Sequence, residues 1–482
     1  MILSQIIRQT IVYGGADFIS KIITFFSFPI IAAIISTEDF GLLELIGTLT
    51  TFLGLFVNCG LNNSVQRFYW DNTYPTDTKT IIVSTAFVSQ VLFGVIIFIV
   101  GIFIIPLLLN TIDSTKFNFT WLSLIGVIIL VGLTQWSQFI LDVLRLYFLP
   151  YHFFFLALTT RLATIALGII ALVIFKLGIE GYLIAQVVAF FAVLPVGLWL
   201  IRRDIKFSKF NFFWFKKLVG FGYPFIFAGF GYWLFSSIDR WMLASFSSIK
   251  EVGIYSVSSR FSSIVLFVSA AFGQAWSPLA MKIRSDYPNN YKSIYGQALL
   301  FLIFIMLIIG GGVALFSGEL ISVFMPTKYI KSILPLTILS IAAIFHATQQ
   351  ITAIGITLAN RTAIFIKLTW FTALVNFVGN LILIPSYGAL GASWATLISY
   401  FLLTSSYMYY TQRLYPINVN WIKILVLIIF CILITIISII FVMDKFIFWV
   451  FSLKLIFGVI CIIFGWKLID ISSENKIINL KF

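Results

Sequence analysis

Three charged residues sit where charge is expensive. Asp239, Arg240 and Arg260 fall inside two apolar stretches, about 224–245 and 252–278, joined by a short polar turn at 246–251. Each stretch is long enough to cross a bilayer, which takes roughly 20 apolar residues. A charge at membrane depth costs at least about 2.5 kcal/mol on insertion scales, so such groups normally face a bundle interior or a watery cavity. Their types indicate the chemistry available. A guanidinium donates two hydrogen bonds to one phosphate group. A carboxylate takes up a proton or Na⁺, or anchors a neighbouring cation. Asp17, Lys21, Glu44 and Arg161 are further charges inside apolar stretches.

Spacing limits how these groups pair. Adjacent helical residues point about 100° apart, so Asp239 and Arg240 do not face each other. One of them needs a partner on another helix. Asp239 either binds a proton or Na⁺ during a cycle or holds Arg260 in place. Asp17 and Lys21 are spaced i, i+4 and share a helix face. They form either an internal salt bridge that lets both insert or a coupling pair. Glu44 is a candidate of the same kind as Asp239.

The elements that must position these residues follow from composition. Of 482 residues, 61% are hydrophobic and only 10% are charged. That balance describes an all-α polytopic membrane protein. The apolar runs are too long for the roughly ten-residue alternation of an outer-membrane barrel. In lipid the backbone must satisfy its own hydrogen bonds, which helices do. Fourteen spans are expected, near 11–35, 41–61, 81–109, 119–141, 153–175, 179–201, 220–245, 252–278, 296–325, 333–358, 363–384, 389–411, 421–443 and 446–469. The links are short, and the longest basic one, 202–217, carries Arg202, Arg203, Lys206, Lys209, Lys216 and Lys217. The expected organisation is therefore 1–201 as a first six-span lobe, 202–219 as a basic cytoplasmic linker, 220–412 as a second six-span lobe, and 413–482 as two further spans and a tail.

The formal charge of +14 is distributed unevenly. Alternate links hold only Lys116, Lys176, Lys250, Lys328, Lys331 and Lys445 on one side; the 202–217 link, Lys282, Arg284, Lys292, Arg361 and Arg413 lie on the other. The richer side is the cytoplasmic one, and an even number of spans puts both termini there. The positive charge thus serves orientation and attraction to anionic lipid, not nucleic acid. Arg67, Arg145, Arg361 and Lys367 read as interfacial cations that snorkel. Trp70, Trp121, Trp214, Trp421, Trp449 and Trp466, near span ends, read as interfacial anchors. Cys59, Cys431 and Cys461 have no paired spacing and read as small core residues; no metal site or cofactor is expected. The first apolar run lacks a small-residue cleavage site, so no cleavable signal peptide is expected.

The chain also repeats itself. Gly178, Gly181 and Ala185 match Gly388, Gly391 and Ala395, and Glu38-Asp39-Phe40-Gly41 matches Lys250-Glu251-Val252-Gly253. Both offsets are close to 210 residues. Six spans per unit is even, so the units share an orientation and are related by an axis along the membrane normal, with a substrate path between them. At about 1.5 Å per residue, Arg240 and Arg260 lie roughly 9 and 12 Å from the outer ends of their spans. Asp17, Lys21 and Arg161 lie at comparable depth from the inner face. Two charged levels are expected, one nearer each mouth. Gly310-Gly311-Gly312 is a close-packing point and no phosphate loop. Pro29, Pro195 and Pro335 are candidate kinks.

Three passages resemble a known family. They are Pro29 with 36–43 (STEDFGLL) and 58–61 (NCGL); Tyr223-Pro224 with Ile238-Asp239-Arg240-Trp241, 252–256 (VGIYS) and Trp276-Ser277-Pro278; and 384–400 (IPSYGALGASWATLISY). With the fourteen-span plan they resemble the polysaccharide flippases of the Wzx type, within the MOP superfamily that also holds MATE drug transporters and lipid II flippases. The resemblance implies a V-shaped pair of six-helix lobes in a bacterial inner membrane. It implies a monomer that moves undecaprenyl-diphosphate-linked oligosaccharide by alternating access, with the polysaccharide polymerase machinery as a neighbour. Such cargo carries a diphosphate and a polar glycan that hydrocarbon rejects. Arg240, Arg260, Arg161 and Lys21 are the candidate ligands of the diphosphate, and Asp17, Asp239 and Glu44 the candidate sites of H⁺ or Na⁺ coupling or of structural pairing. A cation-coupled drug antiporter shares the fold but calls for a lumen of acids and aromatics. A membrane polymerase or glycosyltransferase calls for a large external loop or an acid pair, and neither is present.

Overall fold

The computed structural model describes residues 2–71, 73–75, 77–111, 121–359, 361, 363–441 and 447–469. Side chains are described for the same residues except 2–13, 17, 104–111, 121–123 and 469. Helices dominate: α1 (Ile2–Ile34), α2 (Thr37–Asn58), α3 (Leu61–Tyr69), α4 (Thr78–Thr111), α5 (Trp121–Leu146), α6 (Pro150–Val173), α7 (Gly178–Leu200), α8 (Phe212–Gly222), α9 (Pro224–Phe246), α10 (Ile249–Asp286), α11 (Tyr291–Leu315), α12 (Ser317–Phe324), α13 (Ile333–Thr352), α14 (Ile354–Leu358), α15 (Ala363–Leu414), α16 (Trp421–Ile440) and α17 (Phe448–Ile469). Among the described residues, 13 helices are long and apolar enough to cross a membrane.

One of the thirteen is two spans. The 52-residue α15 breaks at Gly388, with φ 53 and ψ −132. A Cβ built on Gly379 would lie 3.2 Å from that of Ala395, and one on Gly391 would lie 2.4 Å from the Leu383 carbonyl oxygen. In a straight helix residues 379 and 395 would be about 24 Å apart. The chain therefore doubles back at Gly388, so among the described residues fourteen stretches are long and apolar enough to cross a membrane, the number expected.

The chain separates into two compact units, Met1–Ser237 and Ile238–Phe482. The division falls within α9, not in the basic link. That link is itself structured: α8 occupies 212–222, and Ser84 Oγ donates to the Asp204 carbonyl at 2.7 Å while the Lys206 amide donates back to Ser84 Oγ at 3.0 Å. At the start of α3, Gly60 has φ 66, and a Cβ there would come within 2.1 Å of the Gly222 carbonyl oxygen. Ser64 Oγ donates to the Leu218 carbonyl beside it, at 2.8 Å. Small residues thus let α8 lie directly on α3.

Each unit is built around one central helix. In the first, α5 packs against α2, α4 and α7; in the second, α13 packs against α10, α11 and α15. These sets correspond under the 210-residue offset, and local geometry agrees. Gly178 and Gly388 both adopt positive φ, 63° and 53°. Ser36 caps α2 by accepting from the Asp39 amide, and Ser248 caps α10 by accepting from the Glu251 amide. The repeat is thus carried by caps and turns as well as by hydrophobic pattern.

Two expectations need correction. Trp214 is buried, packed against Phe68 and Tyr74 with Lys217 over its ring at 5.0 Å, and does not anchor an interface. It faces inward because α8 lies on α3. Pro335 lies in the first turn of α13, where its missing N–H has no partner to lose, so it kinks nothing. Trp70, Trp421, Trp449 and Trp466 are exposed, and the Trp121 side chain lies outside the described residues. Gly310 and Gly311 do permit close packing, against Ile344 of α13 and Ile434 of α16. Cys59, Cys431 and Cys461 are buried free thiols.

Candidate functional site

The second unit gathers its polar groups around Asp239. This residue is 4% exposed, on α9. Tyr255 of α10 donates its hydroxyl to Oδ2 at 2.6 Å. Asn380 Nδ2, on the first limb of α15, donates to Oδ1 at 2.5 Å. Thr396 Oγ1, on the second limb, donates to Oδ2 at 3.2 Å. Asn376 lies one turn from Asn380, and its Oδ1 accepts from Asn380 Nδ2 at 3.0 Å. The Oδ1 of Asn380 is buried without a partner. A buried carboxylate survives only if its lone pairs are satisfied, and here neutral donors satisfy them. Of the two roles the sequence offers Asp239, cation uptake or holding Arg260, these contacts involve neither: the described hydrogen bonds to the carboxylate come from Tyr255, Asn380 and Thr396. Arg260 sits one turn and more from Tyr255 on the same helix, whereas the acid is reached by α15.

Arg240 points elsewhere on the same helix. Its Nε reaches Ser256 Oγ at 3.3 Å and its Nη2 reaches Ser259 Oγ at 3.4 Å, both on α10. Its guanidinium lies 5.8 Å from the Tyr255 ring centroid. Tyr255 therefore touches both neighbours, giving its hydroxyl to Asp239 and its ring to Arg240. Arg240 and Arg260 are half-buried in the second unit. In the first unit Lys21 on α1 and Arg161 on α6 are exposed, and Glu44 on α2 is half-buried. The Asp17 side chain lies outside the described residues, so its pairing with Lys21 does as well.

The turn between the limbs of α15 is held from α10. Glu251 Oε2 accepts the Ala389 amide at 2.8 Å, at the start of the second limb. A carboxylate at a helix N-terminus satisfies an otherwise unpaired donor and complements the helix dipole. Glu251 thus fixes the limb that delivers Thr396 to Asp239.

The repeat does not extend to this site. Under the 212-residue offset that relates Ser36 to Ser248, Tyr255 corresponds to Leu43 and Asp239 to Ser27. Leu43 packs with Ile46, Val127, Leu130 and Leu183 in an apolar cluster, and Ser27 donates to its own helix at Thr24. The first unit holds a different polar chain: Gln90 Nε2 donates to Asn62 Oδ1 at 2.6 Å, and Asn62 Nδ2 to Asp142 Oδ2 at 2.6 Å. Gln138 and Arg145 also reach Asp142, at 3.1 and 3.7 Å.

Sequence reasoning singled out Asp239, Arg240 and Arg260 but missed Asn376, Asn380, Asp142, Glu319 and Lys454. Asn376 and Asn380 carried a signal, two amides spaced i, i+4 in an apolar run. Glu319 and Lys454 form a buried ion pair, with Nζ 2.9 and 3.0 Å from the two carboxylate oxygens. Among the described residues no group of three His, Cys, Asp or Glu could hold a metal ion.

Comparison with known proteins agrees with this architecture. The chain aligns with the lipid II flippase MurJ in an inward closed conformation at TM-score 0.70 and 16% identity, over 95% of this chain and 98% of that one. An inward-facing multidrug resistance MATE family transporter of the MOP superfamily aligns at TM-score 0.62 and 15% identity, over 84% and 94%. At such identities the likeness is one of fold. Among curated relatives, uncharacterized membrane protein MJ1068 of Methanocaldococcus jannaschii is 26% identical over 255 residues, 50% of this chain and 49% of that protein. The probable low-salt glycan biosynthesis flippase Agl15 of Haloferax volcanii is 21% identical over 192 residues, 40% and 41%. The chain thus spans about half the length of these two relatives or less. Residues 6–284, more than half of the chain, match the polysaccharide biosynthesis protein family, and the chain belongs to that family.

Proposed function

We propose that this protein is a flippase for a lipid-linked oligosaccharide, carrying it across the membrane by alternating access. The fold it shares with MurJ and the match to Agl15 support the class. The cargo we assign is an undecaprenyl-diphosphate-linked repeat unit destined for surface polysaccharide, and the membrane is the bacterial inner membrane, with both chain ends cytoplasmic. Arg240 and Arg260 in the second unit, and Arg161 and Lys21 in the first, are the cations that receive the diphosphate.

One observation carries this reading. Asp239 is satisfied by Tyr255, Asn380 and Thr396, while the guanidinium of its neighbour Arg240 rests on the hydroxyls of Ser256 and Ser259 at 3.3 and 3.4 Å. The acid is thus held by neutral donors, and the half-buried guanidinium beside it has the two-pronged donor geometry that a phosphate accepts.

Coupling belongs to Asp239. Its carboxylate, Asn376 Oδ1, Asn380 Oδ1 and Thr396 Oγ1 are an oxygen-only set from α9 and both limbs of α15, and Asn380 Oδ1 has an unused lone pair. Hard cations prefer such ligands. A proton or Na⁺ taken up here alters the hydrogen bonds that tie the three segments together. The test is transfer of a fluorescent lipid-linked oligosaccharide across proteoliposomes holding the purified protein. Transfer that needs the protein and responds to an H⁺ or Na⁺ gradient supports the proposal; transport of cationic dyes with no transfer of the glycolipid overturns it.

A further inference from the structure

A cavity lies in the second unit, away from Asp239. It has a volume of about 370 Å³ and is walled by α11, α13, the second limb of α15 and α16. That size falls in the range of about 300–1,000 Å³ typical of small-molecule pockets. The walls are mostly apolar, and the slot opens between Phe401, Tyr409 and Trp421, whose side chains are exposed. Its lining includes Thr352, which is 4% exposed and whose Oγ1 is buried without a hydrogen-bond partner. A buried hydroxyl in an apolar wall calls for an acceptor.

The slot lies at one particular end of the unit. The Asn418 amide donates to the Lys292 carbonyl at 3.1 Å, and the Gly355 amide to Thr411 Oγ1 at 3.1 Å. The 286–292, 353–359 and 411–423 segments therefore meet there. This end carries Lys282, Arg284, Lys292, Arg361, Arg413 and Lys423, and in 282–292, 359–367 and 411–423 the only acid is Asp286. Arg413 follows a lining residue, Gln412, and Lys423 stands between the lining residues Trp421 and Ile424.

We propose that this slot binds one acyl chain of an anionic phospholipid. The chain fills the apolar cavity, an ester carbonyl accepts from Thr352 Oγ1, and the phosphate lies against Arg413 and Lys423 at the rim. The features fit together physically: apolar walls suit hydrocarbon, Trp and Tyr at the mouth suit the headgroup boundary, and a basic rim attracts anionic headgroups. The site is separate from the one assigned to the glycolipid and stands whether or not that assignment does.

The test uses the full-length protein in detergent micelles, with retained lipid counted by native mass spectrometry. The probes are phosphatidylglycerol and phosphatidylcholine with identical chains, and a polyprenyl phosphate. The native protein is expected to retain phosphatidylglycerol in preference to phosphatidylcholine. Ser405→Trp, which fills the slot from its open side, should reduce retention about tenfold or more. Ile428→Trp provides the same block from α16 should the first variant fail to fold. Thr352→Val should weaken retention of both phospholipids, and the pair Arg413→Gln with Lys423→Gln should abolish the headgroup preference. Equal retention by native and blocked proteins overturns the site. Displacement of phosphatidylglycerol by polyprenyl phosphate overturns the occupant.

Discussion

Asn380 donates its amide nitrogen to the Asp239 carboxylate at 2.5 Å, joining two helices that lie 141 residues apart in sequence. With Tyr255 and Thr396 it makes the acid a junction of α9, α10 and α15. Asp239→Asn keeps the shape and removes the charge. Because burying a carboxylate is costly, the variant is expected to fold with an unchanged or raised Tm. Its glycolipid transfer should persist only as slow exchange and should no longer respond to an H⁺ or Na⁺ gradient. A variant that still follows the gradient would remove Asp239 from coupling.

Arg240 and Arg260 should act together on the cargo phosphate. Each alanine variant is expected to lower transfer, and the double variant to lower it by about tenfold or more, since charge-assisted contacts to phosphate are lost twice. Lysine at either place should rescue only in part, because an ammonium lacks the two-pronged donor geometry. Normal surface polysaccharide in cells carrying the double variant at native protein level would contradict the assignment.

Helix number and repeat were legible because they depend on local signals. Run length reports a span, and the caps at Ser36 and Ser248 and the glycines at 178 and 388 recur at matching offsets. Pairing between helices was less legible. Nothing local shows that Asn380 meets Asp239 or that Lys454 meets Glu319, because each contact depends on which faces of distant helices turn inward. The division within α9 was hidden for the same reason. Trp233 Nε1 donates to the Thr48 carbonyl at 2.8 Å in the first unit, and Asp239, six residues on, is bonded in the second. One unbroken apolar run serves two bodies, and hydropathy does not register it.

Gly388 should tolerate substitution worse than Gly178. Both have positive φ, which disfavours any residue with a Cβ. A Cβ at Gly178 meets open space, whereas one at Gly388 would lie 2.6 Å from Glu251 Oε2. That atom also caps the following limb, so moving it weakens the helix start. Gly388→Ala is therefore expected to lower Tm clearly more than Gly178→Ala, measured by thermal unfolding in one detergent. Combining Gly388→Ala with Glu251→Ala should recover part of the loss, since the clash is removed. Equal costs at the two glycines would refute the Glu251 contact.

Lys454 and Glu319 provide the last test. Lys454 is 2% exposed and Glu319 8%, and the ammonium bridges both carboxylate oxygens. The pair ties α17 to α12. Beside it, Ser317, Thr337 and Ser438 share hydroxyl contacts that tie α16 to the same corner, with Ser317 Oγ 2.8 Å from Thr337 Oγ1 and Thr337 Oγ1 3.0 Å from Ser438 Oγ. The two C-terminal spans, an apparent addition in sequence, are therefore fastened to the second unit by polar groups. Where lipid is as apolar as the helix faces, hydrophobic burial does little of that work. Removing one charge leaves the other buried and uncompensated, at a cost of about 3–5 kcal/mol. Lys454→Met and Glu319→Gln alone should each cause marked loss of Tm or of folded yield. Together they should come close to the native protein, because no charge is left buried. A double variant as damaged as the singles combined would mean that the two residues act independently, contrary to the contact.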